Sequence, residues 1–553
     1  MKILQRTIFA LIGLFIILIV LSLGSRWLME GIPFSATVSE ADIYQVEGNQ
    51  VAIVYNYGVQ NAKGWEENGR VYLPMNWVSG LLNDRFFYDE DEEQLIYTLP
   101  REVVQGDFST LDSAGYPILL QEEGRVYLSL ETVKTYTDLF TIEYLGGEHK
   151  RVFINTVFGE YKTARVKAPL PLRMLAAMQS ASIENLTLQK GEEGRILEEE
   201  GDWTRVMTAG GFMGYLKSSM LTGRKTLIQT SSFIQPEYTQ LALPGKVVLG
   251  WHVVDQAAAN NGLEAVVEKT KNMNVISPTW FSLSDNMGNY TSTASRDYVD
   301  RAHAMGLQVW VLIDNFSKEV TSYTLLKNTK ARRRLIKHLI RDARDYGFDG
   351  INMDLEYLKQ ETIKYYVQFL RELSVECRKE GLVLSADVPV PAAYNMYYER
   401  GKIAGAVDYV INMGYDEHYV GSDKGSVSSI GFVRSAITES LREIPKEKLI
   451  NAVPVYARLW TESEENLTSK AVSMATADKW IQENQVPMIW DETVGQYVGS
   501  FTQGDVTTYL WQEDQRSLKL KSDAMKEADL AGIAVWRLGL ETREAWAVLG
   551  WED

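Results

Sequence analysis

From Pro244 to the end, the chain alternates short apolar runs with amphipathic helical stretches, and it does so eight times. The runs are Lys246–Trp251, Val275–Phe281, Gln308–Ile313, Gly350–Glu356, Val383–Val388, Tyr409–Met413, Leu449–Val455 and Gly532–Trp536. Consecutive strands joined through helices run parallel, because a parallel pair needs a crossover where an antiparallel pair needs only a turn. The helical period shows between the runs: within 330–346, Leu335, Leu339, Ile340 and Ala343 fall on one face. Eight such units over about 310 residues predict a closed (β/α)8 barrel. An open doubly wound sheet is the structural alternative, but no glycine-rich phosphate loop follows the first run.

The fourth run is the most informative. In Asp349-Gly350-Ile351-Asn352-Met353-Asp354-Leu355-Glu356 the side-chain period of a strand is two. Ile351, Met353 and Leu355 therefore share one face, and Asn352, Asp354 and Glu356 share the other. Three polar groups in line at the end of a buried strand cost free energy unless chemistry requires them. Active sites of such barrels sit where the strands end, at the C-terminal face. Other polar and aromatic residues collect at the same level: Tyr415 and Asp416 after the sixth run, Tyr456 and Arg458 after the seventh, and Trp536 closing the eighth.

The octapeptide resembles the signature of glycoside hydrolase family 18, the chitinase-like enzymes, written Asp-Gly-x-Asp-x-Asp-x-Glu. Seven of its eight positions fit, and Asn352 stands where the family usually has Asp. Asn412-Met413-Gly414-Tyr415-Asp416 is similar to the family's Met-x-Tyr-Asp. The third run continues as Val311-Leu312-Ile313-Asp314-Asn315-Phe316 where many chitinases have Ser-x-Gly-Gly, and this is more similar to the spore-germination and cell-wall glycosylase branch. The resemblance covers 245–553. It implies a retaining, substrate-assisted hydrolysis of β-1,4-linked N-acetylglucosamine, with Glu356 as general acid, Asp354 stabilising the acetamido group and Tyr415 holding its oxygen. It also implies that Asp416 holds sugar hydroxyls and Trp536 floors the −1 site; Asn352, Tyr456 and Arg458 are further candidate substrate-binding residues by their places on strands four and seven.

Glu356 needs a raised pKa for this role, and the ionised Asp354 two residues away is expected to provide it by repulsion. Asn352 cannot share a proton with Asp354. It is expected to hydrogen-bond Asp354 and leave it ionised more of the time, with a shifted pH optimum.

Ahead of the barrel, Gly69-Arg70-Val71-Tyr72-Leu73 recurs as Gly124-Arg125-Val126-Tyr127-Leu128. The repeat marks 35–160 as a duplicated small α+β unit whose copies pack together. It resembles the stalk domain named after the N-terminus of copper amine oxidases, and reads as a spacer or a wall-binding module. In 161–224, short strands and Gly-rich turns around Trp203 and Gly214-Tyr215-Leu216-Lys217 look like a bacterial SH3-like all-β barrel. Trp203 is either a ligand platform or a core residue. Between the seventh and eighth runs, Thr461–Ala531 reads as short for the extra wall domain of deep-cleft chitinases.

At the N-terminus, Lys2 and Arg6 precede the apolar run Thr7–Gly24. Its length as a helix, roughly 27 Å, approaches a bilayer core of about 30 Å. Residues 1–30 are therefore expected to be a single-pass membrane anchor, with the N-terminus cytoplasmic and the barrel extracellular. A cleaved signal peptide ending near Ser22-Leu23-Gly24, and hence a secreted protein, is the alternative.

The formal net charge of −17 argues against nucleic acid as a partner. The five histidines show no ligand spacing, so neither a metal nor another cofactor is expected. The single cysteine, Cys377, excludes an intrachain disulfide and reads as an inert core residue. Three functions remain: a peptidoglycan hydrolase, a chitinase acting on external chitin, and a non-catalytic glycan-binding protein on the same fold.

Overall fold

The computed structural model of the protein describes residues 36–551. The chain divides into two compact units. The second, made of Pro236–Asp553 with the short segments Asp89–Glu92 and Tyr97–Val104, contains the eight parallel strands β1 (Val247–His252), β2 (Val275–Pro278), β3 (Gln308–Asp314), β4 (Gly350–Asp354), β5 (Val383–Pro389), β6 (Tyr409–Met413), β7 (Leu449–Pro454) and β8 (Gly532–Trp536). They hydrogen-bond in the order β2-β1-β8-β7-β6-β5-β4-β3, and β2 meets β3 again to close the cylinder. The expected (β/α)8 barrel is present.

The helices form where sequence supplies both an apolar stripe and its caps. The helix Thr329–Tyr346 starts at Asn328, whose side chain accepts from the Ala331 amide, and stops at Gly347 with φ 76°. It buries Leu335, Ile336, Leu339, Ile340 and Ala343. The next helix, Gln360–Glu380, carries Cys377, which is fully buried, with burial pushing its thiol up.

Strand register sorts the barrel interior into layers. Trp310 on β3 lies beside Gly350 on β4, which lies beside Val383 on β5. One step up, Leu312, Asn352 and Ser385 are neighbours; above them come Asp314 and Asp354. The lower interior is apolar, with Trp251, Trp310, Leu312, Tyr409 and Ile411 in one cluster. Position 350 has to be glycine, since a Cβ would sit 2.7 Å from the Trp310 ring. Asp349, which opens the octapeptide, ties strand starts together: it accepts from the Val309 amide at 2.8 Å and bonds His303 at 2.8 Å.

After β7 the chain builds an antiparallel sheet in the order Leu467–Ser473, Tyr456–Glu462, Val506–Gln512, Gln496–Gln503 and Ile489–Asp491, with the helix Met474–Glu483. The reading of this stretch as short for a wall domain is corrected. Its strands carry polar and Thr-rich faces, so they lack the apolar runs that marked the barrel strands. Where it rejoins the barrel, Glu513 and Lys521 form a fully buried ion pair.

The first unit holds a seven-stranded sheet and an eight-stranded one. The two Gly-Arg-Val-Tyr-Leu copies supply Arg70–Pro74 and Arg125–Ser129, which pair antiparallel in the first sheet, Leu73 opposite Leu128. Trp203 lies in the other sheet, 8% exposed with the Lys217 ammonium 4.6 Å above its ring. It is a core residue, not an open platform.

Among the described residues no helix is long and apolar enough to cross a membrane. This corrects the expected single-pass topology, with its cytoplasmic N-terminus, its extracellular barrel and the membrane as a partner: the described residues hold no spanning helix to carry it. The run Thr7–Gly24 lies outside the described residues.

Candidate active site

The site is the top interior layer of the barrel and the loops just above it. β4 ends at Asp354, two residues earlier than expected. Glu356 follows in a loop segment that Asn315 grips from β3's end, donating to the Glu356 carbonyl at 2.9 Å and accepting from its amide at 3.0 Å. Tyr357 comes next with φ 55°, a left-handed conformation costly for a bulky residue. The chain thus leaves the strand by a sharp turn that the Asn315 clamp holds, with Glu356 half-buried at the rim and Asp354 only 6% exposed inside.

The Glu356 carboxyl is held above the ordinary carboxylate range, by burial first and then by the charges of Asp416 and Asp314. The direction agrees with expectation, and burial with the charges of Asp416 and Asp314 leads among its causes. Asp354 itself is raised well above its ordinary value, by burial first and then by Asp387, Glu356 and Asp314. The expectation that Asp354 is ionised more of the time is therefore corrected. Its Oδ1 is buried without a hydrogen-bond partner among the described residues.

Asn352 is fully buried, and its amide is fixed on both sides. Its oxygen accepts from Trp251 Nε1 at 2.8 Å and from Ser277 Oγ at 3.3 Å. Its nitrogen donates to Ser385 Oγ at 3.1 Å and to Asp387 Oδ1 at 2.7 Å. The expected partner was Asp354; the observed one is Asp387 on β5.

Tyr415, just past β6, stacks on Trp536 at the end of β8, with centroids 6.1 Å apart and planes 15° from parallel. Trp536 in turn meets the edge of buried Trp251 at 5.6 Å. Burial, then the charges of Asp354 and Asp387, push the Tyr415 phenol well above its ordinary value, so it is a neutral hydroxyl at any working pH. Asp416 adopts φ 55°, and its Oδ1 receives the Tyr456 hydroxyl at 2.6 Å. Arg458 stands 3.8 Å from the same oxygen and donates to Ser469 at 3.2 Å. The wall sheet thus bonds directly to a residue that raises Glu356.

All eight residues singled out from the sequence come to this end of the barrel. Four that matter were missed: Trp251, Asp314, Asn315 and Asp387. Asp387 left one signal, an acid at an interior position of the mostly apolar Val383–Pro389.

The family model "Glycosyl hydrolases family 18" matches residues 179–541. The chain is 32% identical over 237 residues to the cortical fragment-lytic enzyme of Bacillus subtilis, a match covering 41% of this chain and 54% of that protein. The matched part therefore spans about half the length of that relative. Among solved structures, the spore cortex-lytic enzyme SleL of Bacillus cereus superposes with a TM-score of 0.50 at 20% identity, over 58% of this chain and 77% of that one. A chitinase from Chromobacterium violaceum gives 0.50 at 20% identity, over 55% and 98%. These two likenesses concern the fold alone.

Proposed function

The chain belongs to glycosyl hydrolases family 18, and from that membership and the geometry of the strand ends we propose that its barrel hydrolyses β-1,4-linked N-acetylglucosamine glycans with retention, the substrate's own acetamido group acting as nucleophile. The observation that carries this is the pairing of Glu356 at the rim, its carboxyl held above the ordinary carboxylate range, with the buried Asp354 and with Tyr415 stacked on Trp536.

In this reading the sugar at the −1 position rests on Trp536. Glu356 gives its proton to the leaving glycosidic oxygen while the acetamido oxygen attacks the anomeric carbon. The bond to the leaving group breaks as the ring of an oxazolinium ion closes. Asp354 accepts from the acetamido N–H and offsets the positive charge; Tyr415 donates to the acetamido oxygen. Glu356, now a carboxylate, takes a proton from water, which opens the ring from the face the leaving group left. Asp416, held by Tyr456 and Arg458, binds sugar hydroxyls. The raised pKa of Glu356 suits this cycle, because the acid must be protonated near neutrality and ionised one step later.

Relatives named as cortical fragment-lytic enzymes support peptidoglycan over external chitin as the substrate. The finer domain reading is also part of the proposal: 35–160 as a duplicated stalk-like unit, 161–224 as an SH3-like module, and 245–553 as the catalytic barrel. The direct pairing of the two repeated segments supports the first of these. Mass spectrometry of products from purified peptidoglycan and from chitin oligomers tests the proposal. Reducing-end N-acetylglucosamine from peptidoglycan is the expected result. Faster release from chitin favours a chitinase, and binding without release favours a glycan-binding protein.

A further inference from the structure

β5 brings to the top interior layer an acid that the chemistry above does not use. Asp387 is 3% exposed and lies two residues beyond Ser385, which pairs with Asn352. By the period of a strand it stands level with Asp354 on the adjacent strand, on the same face. Every charged group acting on the two is a carboxylate: Glu356 on both, and Asp314 on Asp354. The remaining titratable neighbours among the described residues are the phenols of Tyr415, Tyr366 and, toward Asp354, Tyr357. Among the described residues no cation offsets the repulsion.

Asn352 shows how the pair is arranged. With its oxygen committed to Trp251 and Ser277, its nitrogen must point toward β5, where it donates to Asp387 Oδ1. That bond helps Asp387 bear charge. Asp354 has an oxygen, Oδ1, that is buried and receives no donor among the described residues. Two buried carboxylates on neighbouring strands do not both ionise; the second proton leaves only at much higher pH.

We propose that Asp354 and Asp387 hold one proton between them, and that Asp387 is the positioning residue that takes it when Asp354 turns its charge to substrate. The acid partner of Asp354 is thus on strand β5, and position 352, an amide, is the bridge that holds it. The first half stands on the structure alone; the second rests on the glycosidase reading. The proton moves from Asp354 oxygen to Asp387 oxygen as substrate binds and returns on release, so nothing is consumed.

Two readouts on the full chain separate the halves. The first is the pH dependence of unfolding in urea, comparing wild type with Asp387→Asn and with Asp354→Asn. The folded wild type keeps a proton that the unfolded chain has released above the ordinary carboxylate range. Its unfolding constant therefore rises with pH more steeply than either variant's, by up to about tenfold per pH unit for one proton. Moving the acid with Asn352→Asp/Asp387→Asn restores the wild-type slope. Slopes in both single variants equal to wild type overturn the shared proton. Should Asp387→Asn not fold, the slopes of Asp354→Asn and of the relocated pair distinguish the same two outcomes.

The second readout is turnover of acetylated oligomers. Asp387→Asn lowers kcat about tenfold or more with KM little changed, and the relocated pair recovers it. Unchanged kcat with a changed slope leaves the shared proton standing and overturns the positioning role. A wild type inactive on every acetylated glycan, with the slopes differing, overturns the glycosidase reading and not the pair.

Discussion

Replacing Asn352 by Ala is the sharpest structural perturbation this barrel offers. The side chain is fully buried and makes four hydrogen bonds. Ser277 and Ser385 have hydroxyls that can rotate to other partners; Trp251 Nε1 and Asp387 Oδ1 cannot move without unpacking the core. An orphaned buried donor costs about 1–3 kcal/mol, and a carboxylate that loses its donor costs at least as much. Together they predict a loss of about 3–5 kcal/mol, a large part of the roughly 5–15 kcal/mol that holds a domain together. Urea unfolding followed by tryptophan fluorescence reads it. A loss under about 1 kcal/mol would refute the view that Asn352 is the centre of a satisfied buried network. Asn352→Asp keeps an acceptor for Trp251 but adds a carboxylate beside Asp387. That acid's folded pKa is raised, so the variant is most stable at low pH and loses stability as the pH rises through it.

Glu356→Gln keeps shape and hydrogen-bonding but has no proton to give; turnover should vanish while oligosaccharide affinity, measured by calorimetry, changes little. Asp416→Asn removes one of the charges that raise Glu356. The acid then loses its proton at lower pH, and the alkaline limb of kcat/KM moves toward acid; a limb that stays put or moves alkaline contradicts the assignment. Lys521→Met leaves Glu513 buried without its cation and should cost about 3–5 kcal/mol, read by urea unfolding. Glu513 is already pushed up to about 7, so the deficit should shrink as the pH falls and the acid takes up a proton.

The barrel was legible because its strands advertise themselves. Tyr409–Met413 is bounded in the structure as the apolar run bounded it in the sequence. The alternation in Ile351 to Glu356 assigns faces correctly, since period two survives whatever the neighbours do. It cannot say that the strand stops at Asp354, because the stop depends on Asn315 gripping the next turn from another strand. The link from Asp387 to Asp354 was not legible for a related reason. Nothing local joins the two; only the register of β4 against β5 does. An amide at position 352 therefore read as a lost acid, when the acid is on the next strand. The wall sheet after β7 was missed because strands such as Gln496–Gln503 are mostly polar and half exposed. Spacing points to Asp354 as a charge near Glu356, but it cannot show Asp416 and Asp314, which reach Glu356 from β6 and β3.

Substrate assistance stands or falls with the acetamido group as nucleophile. The test is the rate of cleavage of an N-acetylglucosamine oligomer against the same oligomer de-acetylated at the −1 sugar. Losing an intramolecular nucleophile forfeits an effective molarity worth about 7–11 kcal/mol. Losing only a hydrogen bond to that group forfeits about 0.5–1.5 kcal/mol. The predicted result is no detectable cleavage of the de-acetylated oligomer, together with inhibition of the wild type by a thiazoline analogue of the oxazolinium ion. Cleavage of the two oligomers at similar rates would contradict it, because a nucleophile belonging to the protein would then be at work.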